Sequence, residues 1–130
     1  MTTFVSTQHD RYLGSVAGDG HCVAFVREVT GAPHTAAWRR GALVRGGSHP
    51  SGALIATFDE DGRYANATDG SSHAAVLISV TAAGLVVTDQ WRGQPVAVRT
   101  IRFKGGQGPA CDDADRYHVV VTDCATPTVA

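Results

Sequence analysis

A loop punctuated by glycines runs directly into a helix pattern near the start of the chain, and a cysteine stands at the junction. The segment reads Gly18-Asp19-Gly20-His21-Cys22-Val23-Ala24-Phe25-Val26. The first turn of a helix offers backbone N–H groups without an acceptor and the positive end of the helix dipole, and both stabilise a thiolate. Cys22 is therefore placed either to act as a nucleophile or to fill the core under the helix.

Length and composition favour one domain across residues 1–130. The chain is 43% hydrophobic and 18% charged, which allows a sizeable core. A net charge of -1 gives no electrostatic reason to bind nucleic acid or an anionic membrane, so neither is expected as a partner. The N-terminus lacks the basic and apolar regions of a secretory signal. We therefore expect a protein that is made in the cytoplasm and enters no Sec pathway by its own N-terminus.

Helix patterns come first along the chain and strand patterns follow. Apolar spacing predicts a helix over residues 22–30, and a second short helix is predicted from Thr35, with Arg39 and Arg40 at its C-terminal end. Five short β-branched segments separated by turn signals are predicted strands: Ala53 to Phe58, His73 to Val80, Leu85 to Asp89, Val96 to Phe103 and Tyr117 to Thr122. The predicted fold is α+β, with N-terminal helices packed on an antiparallel sheet of about five strands.

A catalytic thiol needs a base, and His73 is the best candidate. It begins a predicted strand at the sheet rim, where a side chain can project into a cleft. A third group must hold the imidazole ring, and Asp89 ends the next strand. An odd-numbered loop between the two strands puts Asp89 on the same face as His73, whereas an even-numbered loop puts Gln90 there. We prefer Asp89, because a carboxylate stabilises an imidazolium better than an amide does, and Gln90 remains the alternative.

The chain has three cysteines, so at most two can pair within a monomer. Cys111 and Cys124 lie in polar, turn-like surroundings on either side of the last predicted strand and are the natural pair. Such a disulfide would stabilise the fold by roughly 3 kcal/mol in an oxidising compartment. The alternative is two unpaired thiols in a cytosolic protein.

The order of these motifs resembles a known superfamily. The runs are Gly-x-Gly-His-Cys-Val-Ala-Phe-Val, then Ser-His-Ala-Ala-Val-Leu, then Val-Thr-Asp-Gln-Trp. They are similar to the NlpC-type and CHAP cysteine peptidases, papain-like bacterial amidohydrolases of cell-wall peptides. Further segments look like a small bacterial family within that superfamily, close to the type VI secretion amidase effectors: Ala32-Pro33-x-Thr35-x-x-Trp38-Arg39, Gly62-Arg63-Tyr64-x-Asn66 and Asp89-Gln90-Trp91. The likeness spans about residues 18–103.

The resemblance implies a cysteine amidase that hydrolyses an amide bond in peptidoglycan stem or cross-link peptides. By position, Cys22 matches the nucleophile, His73 the base and Asp89 the orienting residue, although the superfamily pattern does not choose between Asp89 and Gln90. The type VI likeness implies an antibacterial effector that leaves the cell by a non-Sec route and acts in a periplasm. There the Cys111–Cys124 disulfide would be stable, and a cognate immunity protein is a further possible partner.

The resemblance also indicates which groups would contact the substrate. Trp38, Tyr64, Gln90 and Trp91 accompany the motifs and are predicted to line the cleft, with burial in the core as the alternative reading of the aromatic residues. For the oxyanion hole, the backbone N–H of Cys22 is the favoured donor, and the side chains of Gln8 and Tyr12 are the candidates N-terminal to it.

A second function class stays open beside the enzyme. On the same fold the chain can be a non-catalytic module that binds cell wall or protein, with Cys22 as a plain core residue. A metal site built from His21, Cys22 and His73 is disfavoured, because adjacent helix residues do not converge on one ion. We therefore expect no metal and no cofactor.

Overall fold

The computed structural model describes residues 2–122. In this range the chain forms one α-helix, α1, and one six-stranded antiparallel sheet, joined by loops and short 3-10 turns. The predicted α+β class, with a helix packed on an antiparallel sheet, is confirmed. Among the described residues, no helix combines the length and the apolar character needed to cross a membrane.

Helix α1 spans Cys22–Thr30, as the apolar spacing predicts. Its buried face consists of Phe25, Val26 and Val29. The helix ends because Gly31 adopts a left-handed conformation, with φ of 76°, and donates its N–H to the carbonyl of Arg27 at 3.0 Å. The cysteine is thus the first helical residue, and the helix behind it is anchored by its apolar face.

The strands are β1 Arg39–Leu43, β2 Leu54–Thr57, β3 Ala74–Val80, β4 Gly84–Trp91, β5 Gln94–Arg102 and β6 Tyr117–Val121. Their order across the sheet is β1-β6-β2-β3-β4-β5. The five predicted strands correspond to β2 through β6, with ends that differ by no more than two residues. Strands β2 and β3 lie at the centre of the sheet, and His73 immediately precedes β3.

The prediction of a second helix from Thr35 is wrong beyond the first turn. Only Thr35–Ala37 is helical, as a 3-10 turn, and Arg39 and Arg40 begin the additional strand β1 instead. They pair with Val121 and Val120 of β6. Strand β1 lies at the sheet edge and is mostly exposed, so it lacks the apolar alternation that marks a strand in sequence.

Alternating residues of the sheet enter two apolar clusters. Ala74 and Val76 of β3 pack with α1, whereas Ala75 and Leu77 face the opposite side. The first cluster also contains Phe25 and Trp38, and the second contains Tyr117. Because the first four residues of β3 are buried on both faces, the start of this strand is a rigid platform for a functional side chain.

One bulge sets which residues of β4 share a face with His73. Near the turn, Val80 pairs with Leu85, so the connecting loop has an even number of residues and by itself would put Gln90 on the His73 face. Ile78 has no partner on β4, and beyond it Val76 pairs with Thr88. This extra residue shifts the register by one and brings Asp89 to the His73 face instead.

The anchoring of α1 can be tested by truncating its most buried aromatic side chain. Phe25 has no exposed surface, so Phe25→Ala should lower the free energy of unfolding by about 3 to 5 kcal/mol. Val98, which is 49% exposed, supplies the control, since Val98→Ala should change it by less than about 0.5 kcal/mol. Equal effects of the two substitutions in urea unfolding would show that α1 does not pack as described.

Candidate active site

The loop before Cys22 is held in place by a buried glutamine. The Gln90 side chain accepts a hydrogen bond from the Ala17 N–H at 2.9 Å and donates to the carbonyls of Ala17 at 2.9 Å and His21 at 2.8 Å. Gly20 turns the loop with a φ of 89°, a conformation that favours glycine. Since Gln90 belongs to the central sheet, these bonds fix the start of α1 relative to β4.

His73 lies immediately before β3, and its backbone is fixed by Thr57. The N–H of His73 donates to the Thr57 hydroxyl at 3.0 Å, and the Thr57 N–H donates to the His73 carbonyl at 3.0 Å. The imidazole Nε2 lies 2.7 Å from Oδ2 of Asp89, and both residues are buried, at 5% and 1% exposure. This contact leaves Nδ1 of the ring free to interact with the Cys22 thiol, and the two side chains line the same groove.

The structure thus brings together Cys22, His73 and Asp89, and it separates Gln90 from them. Gln90 is fully buried on the opposite face of β4, where its amide binds backbone groups. The alternative in which Gln90 orients His73 is therefore wrong. Its predicted place in a substrate cleft is also wrong, because it has no exposed surface.

Electrostatic interactions favour a charged pair of thiolate and imidazolium. Burial opposes ionisation of the Cys22 thiol, yet the hydrogen bond and the charge of His73 lower its pKa below the ordinary value. Burial also opposes the imidazolium, but hydrogen bonds to Asp89 and Cys22 raise the pKa of His73 to about 9. The two shifts act in the same sense, because both favour a proton on His73 and a negative charge on Cys22.

The sequence did not point to Arg99, which completes the charged cluster. Its Nε donates to Asp89 Oδ2 at 2.9 Å and Oδ1 at 3.2 Å, and its Nη2 lies 2.8 Å from Oδ2. Although burial opposes the charge of the carboxylate, hydrogen bonds from His73 and Arg99 lower the pKa of Asp89. Arg99 lies two residues beyond Ala97, the partner of Asp89 on β5, so only the register of the hairpin reveals the contact.

Tyr64 contacts the thiol directly. Its hydroxyl lies 3.6 Å from the Cys22 sulfur, and its ring packs on Trp38 with centroids 5.0 Å apart. Burial and the neighbouring Cys22 raise the pKa of Tyr64, so the phenol stays protonated and can donate a hydrogen bond. The backbone N–H of Ala74 also stabilises the thiolate.

The other two candidate oxyanion donors lie away from the thiol. Tyr12 packs edge-on against Phe25, with ring centroids 5.9 Å apart, and Gln8 is exposed in the N-terminal segment. Neither residue lines the groove at Cys22. The backbone N–H of Cys22 remains a suitable donor, because the first residue of a helix has no acceptor within the helix.

An open groove of about 270 Å³ gives access to the thiol. It is lined by both Cys22 and His73, with Tyr64 and Trp91 among its walls. A second depression of about 470 Å³ adjoins it across His73 and Trp91 and is bordered by Arg99. Trp91 is 42% exposed between the two, and its contact with substrate stays a prediction. Trp38, by contrast, is fully buried, so its predicted place in the cleft is wrong, and it supports Tyr64 from behind.

The predicted disulfide joins Cys111 to a residue outside the described range. Cys111 lies in a 3-10 turn and borders the second depression, whereas Cys124 lies outside the described residues. The pairing therefore stays a prediction. Within residues 2–122, no group of three or more histidine, cysteine or acidic side chains is arranged to hold a metal ion.

Comparisons with known proteins agree on one family. The profile of the family described as domesticated amidase effector 2 matches residues 2–120. Domesticated amidase effector 2 of Ixodes scapularis is 35% identical over 105 residues, which cover 76% of this chain and 69% of that protein. A type VI secretion amidase effector 2 protein of Salmonella typhi is 35% identical over 77 residues, which cover 58% of this chain and 56% of that protein.

A solved structure extends the agreement to the fold. The type 6 secretion amidase effector 2 (Tae2) structure superimposes with a TM-score of 0.76 at 26% identity, covering 92% of this chain and 94% of that chain. The expected likeness to type VI secretion amidase effectors is confirmed, together with the α+β fold. The chain belongs to the domesticated amidase effector 2 family.

Proposed function

We propose that this protein is a cysteine amidase that hydrolyses an amide bond in peptidoglycan peptides. The observation that carries the proposal is the buried His73–Asp89 contact beside a thiol at the start of a helix, opening onto a groove. The relatives are named amidase effectors, which agrees with this chemistry. A nucleophile, a base and a residue that holds the base are the minimum set for covalent amide hydrolysis.

In the first half of the reaction, the Cys22 thiolate attacks the carbonyl carbon of the scissile amide. The carbonyl becomes a tetrahedral oxyanion, for which the Cys22 backbone N–H and the Tyr64 hydroxyl are donors within reach. The imidazolium of His73 then transfers its Nδ1 proton to the leaving nitrogen. The C–N bond breaks, the amine departs, and a thioester to Cys22 remains.

In the second half, neutral His73 acts as a general base. It takes a proton from water, and the resulting hydroxide attacks the thioester carbonyl. Collapse of the second tetrahedral intermediate releases a carboxylic acid and restores the Cys22 thiolate beside a protonated His73. Asp89 accepts from Nε2 throughout and keeps Nδ1 directed at the thiol.

The names of the relatives support a proposal for the substrate and for the place of action. We infer that peptidoglycan stem or cross-link peptides are cut, and that the protein leaves the producing cell by a non-Sec route, as the type VI name of its relatives indicates. A periplasm would then be the site of action, with a cognate immunity protein as a possible partner.

The rival function, a binding module without chemistry, requires Cys22 to be an inert core residue. The half-buried thiol lies in an open groove, and although burial opposes its ionisation, the neighbouring His73 lowers its pKa. A binding module has no need to keep two ionisable groups charged at 5% and 1% exposure, since burying charge costs free energy. These contacts favour the enzyme.

Hydrolysis itself tests the proposal. Purified sacculi or muropeptides incubated with the protein should release peptides with new amine and carboxyl termini, resolved by mass spectrometry. Cys22→Ala should lower the rate by roughly a thousandfold or more, because it removes the nucleophile. Cys124→Ala, which removes another thiol, is the control and should stay active in reducing buffer. If wild-type protein releases nothing from stems of several compositions, this substrate class is wrong.

The charged pair predicts how thiol reactivity depends on pH. Because the pKa of Cys22 is lowered, iodoacetamide should alkylate it at lower pH than it alkylates free cysteine. His73→Ala removes the largest contributions that oppose the effect of burial, so the onset should move to higher pH and the rate at pH 7 should fall roughly ten- to a hundredfold. Peptide mass spectrometry measures both the onset and the rate.

Cys111, whose pKa is raised by burial and by Asp112, serves as the internal comparison and should react more slowly at pH 7. Equal rates at the two thiols would contradict the charged pair.

A further inference from the structure

We propose that Arg99 is a positioning residue of the active site, which holds the Asp89 carboxylate charged and oriented while His73 changes its protonation state. The inference rests on the proposed function of Cys22 and His73. It concerns a residue that does not reach the thiol, but that contacts the carboxylate which orients the base.

The contact geometry fixes the carboxylate in one orientation. Arg99 donates to both Asp89 oxygens, and it shares Oδ2 with His73. A planar guanidinium that meets two oxygens at once resists rotation of the carboxylate, which a single imidazole contact does not. Asp89 is 1% exposed, so water does not provide this restraint.

The reaction makes a permanent charge useful at this position. While the thioester exists, His73 is neutral and no longer offers Asp89 a cation. A buried carboxylate without a cationic partner tends to take up a proton. Arg99 remains charged at every step, so Asp89 stays an acceptor for His73 through both halves of the reaction.

Arg99 is itself held from the groove side. Its guanidinium carbon lies 4.8 Å from the centroid of the Trp91 ring, and that ring lies edge-on to His73 with centroids 6.5 Å apart. The indole wall of the groove and the Asp89–His73 pair are therefore linked through Arg99. A substrate that contacts Trp91 therefore contacts a side chain that is held in place by Arg99.

One contact opposes this role. Arg99 Nη2 lies 3.5 Å from His73 Nε2, and a cation there disfavours the imidazolium. The contacts of Arg99 with the Asp89 carboxylate outweigh it, because they are shorter, at 2.8–3.2 Å, and join opposite charges. The titratable and charged groups around the cluster of His73, Asp89 and Arg99 are Cys22 of α1, Tyr64, Cys111 and Asp112 of the 3-10 turn, and Tyr117 of β6.

The test is the pH profile of Cys22 alkylation, which needs no peptidoglycan. Arg99→Gln should move the onset to higher pH and lower the rate at pH 7 about tenfold, as a shift of about one pKa unit would. Arg99→Lys, which restores the charge without the planar fork, should recover part of the rate. Arg102→Gln, an exposed arginine on the same strand, is the matched control and should leave the profile unchanged.

A double-mutant cycle separates positioning from simple loss of stability. If Arg99 acts through Asp89, adding Arg99→Gln to Asp89→Asn should change the rate by less than about twofold. A full tenfold loss in that background, or an unchanged or lower onset in Arg99→Gln alone, would overturn the inference. If Arg99→Gln does not fold, Arg99→Lys carries the same cycle. An unreactive wild-type Cys22 would instead count against the proposed function.

Discussion

The buried contact between His73 and Asp89 is the interaction on which the rest of the site depends. The two side chains meet at 2.7 Å and are almost unexposed, so each must satisfy the hydrogen-bonding groups of the other. Because Asp89 takes Nε2 of the ring, Nδ1 is the nitrogen left for Cys22. Two features of the fold satisfy this requirement. The bulge at Ile78 turns Asp89 to the correct face, and Gln90, its neighbour in sequence, holds the loop that delivers the thiol.

Three consecutive residues of β4 therefore have different roles in the same site. Asp89 supports the base on one face, Gln90 fixes the loop before α1 on the other, and Trp91 borders the groove. Because neighbouring side chains in a strand point to opposite faces, one short segment can position the base and the nucleophile together. A slip of one residue in this register would exchange the roles of Asp89 and Gln90 and dismantle both arrangements at once.

Much of this could be predicted from the sequence, and the failures have physical causes. Cys22 and His73 stand at element starts marked by glycine and serine, so local patterns reveal them. The face of Asp89 could not be decided, since a bulge has no pattern of its own and the even-numbered loop alone favoured Gln90. The contact of Arg99 with Asp89 depends on how β4 and β5 pair. The strand that contains Arg39 lies at the sheet edge, and its exposure removes the alternation of apolar and polar residues that would reveal it. Local sequence records neither kind of contact.

The charge state of His73 tests the central claim most directly. In ¹⁵N spectra of histidine-labelled protein, with His73 assigned by its loss in His73→Gln, the ring should be an imidazolium at pH 7.5 and should titrate near the value of about 9. Cys22→Ala should lower that titration point, because the thiolate that stabilises the imidazolium is gone. A His73 that is neutral at pH 7.5, or that titrates unchanged in Cys22→Ala, would contradict a thiolate–imidazolium pair in this protein.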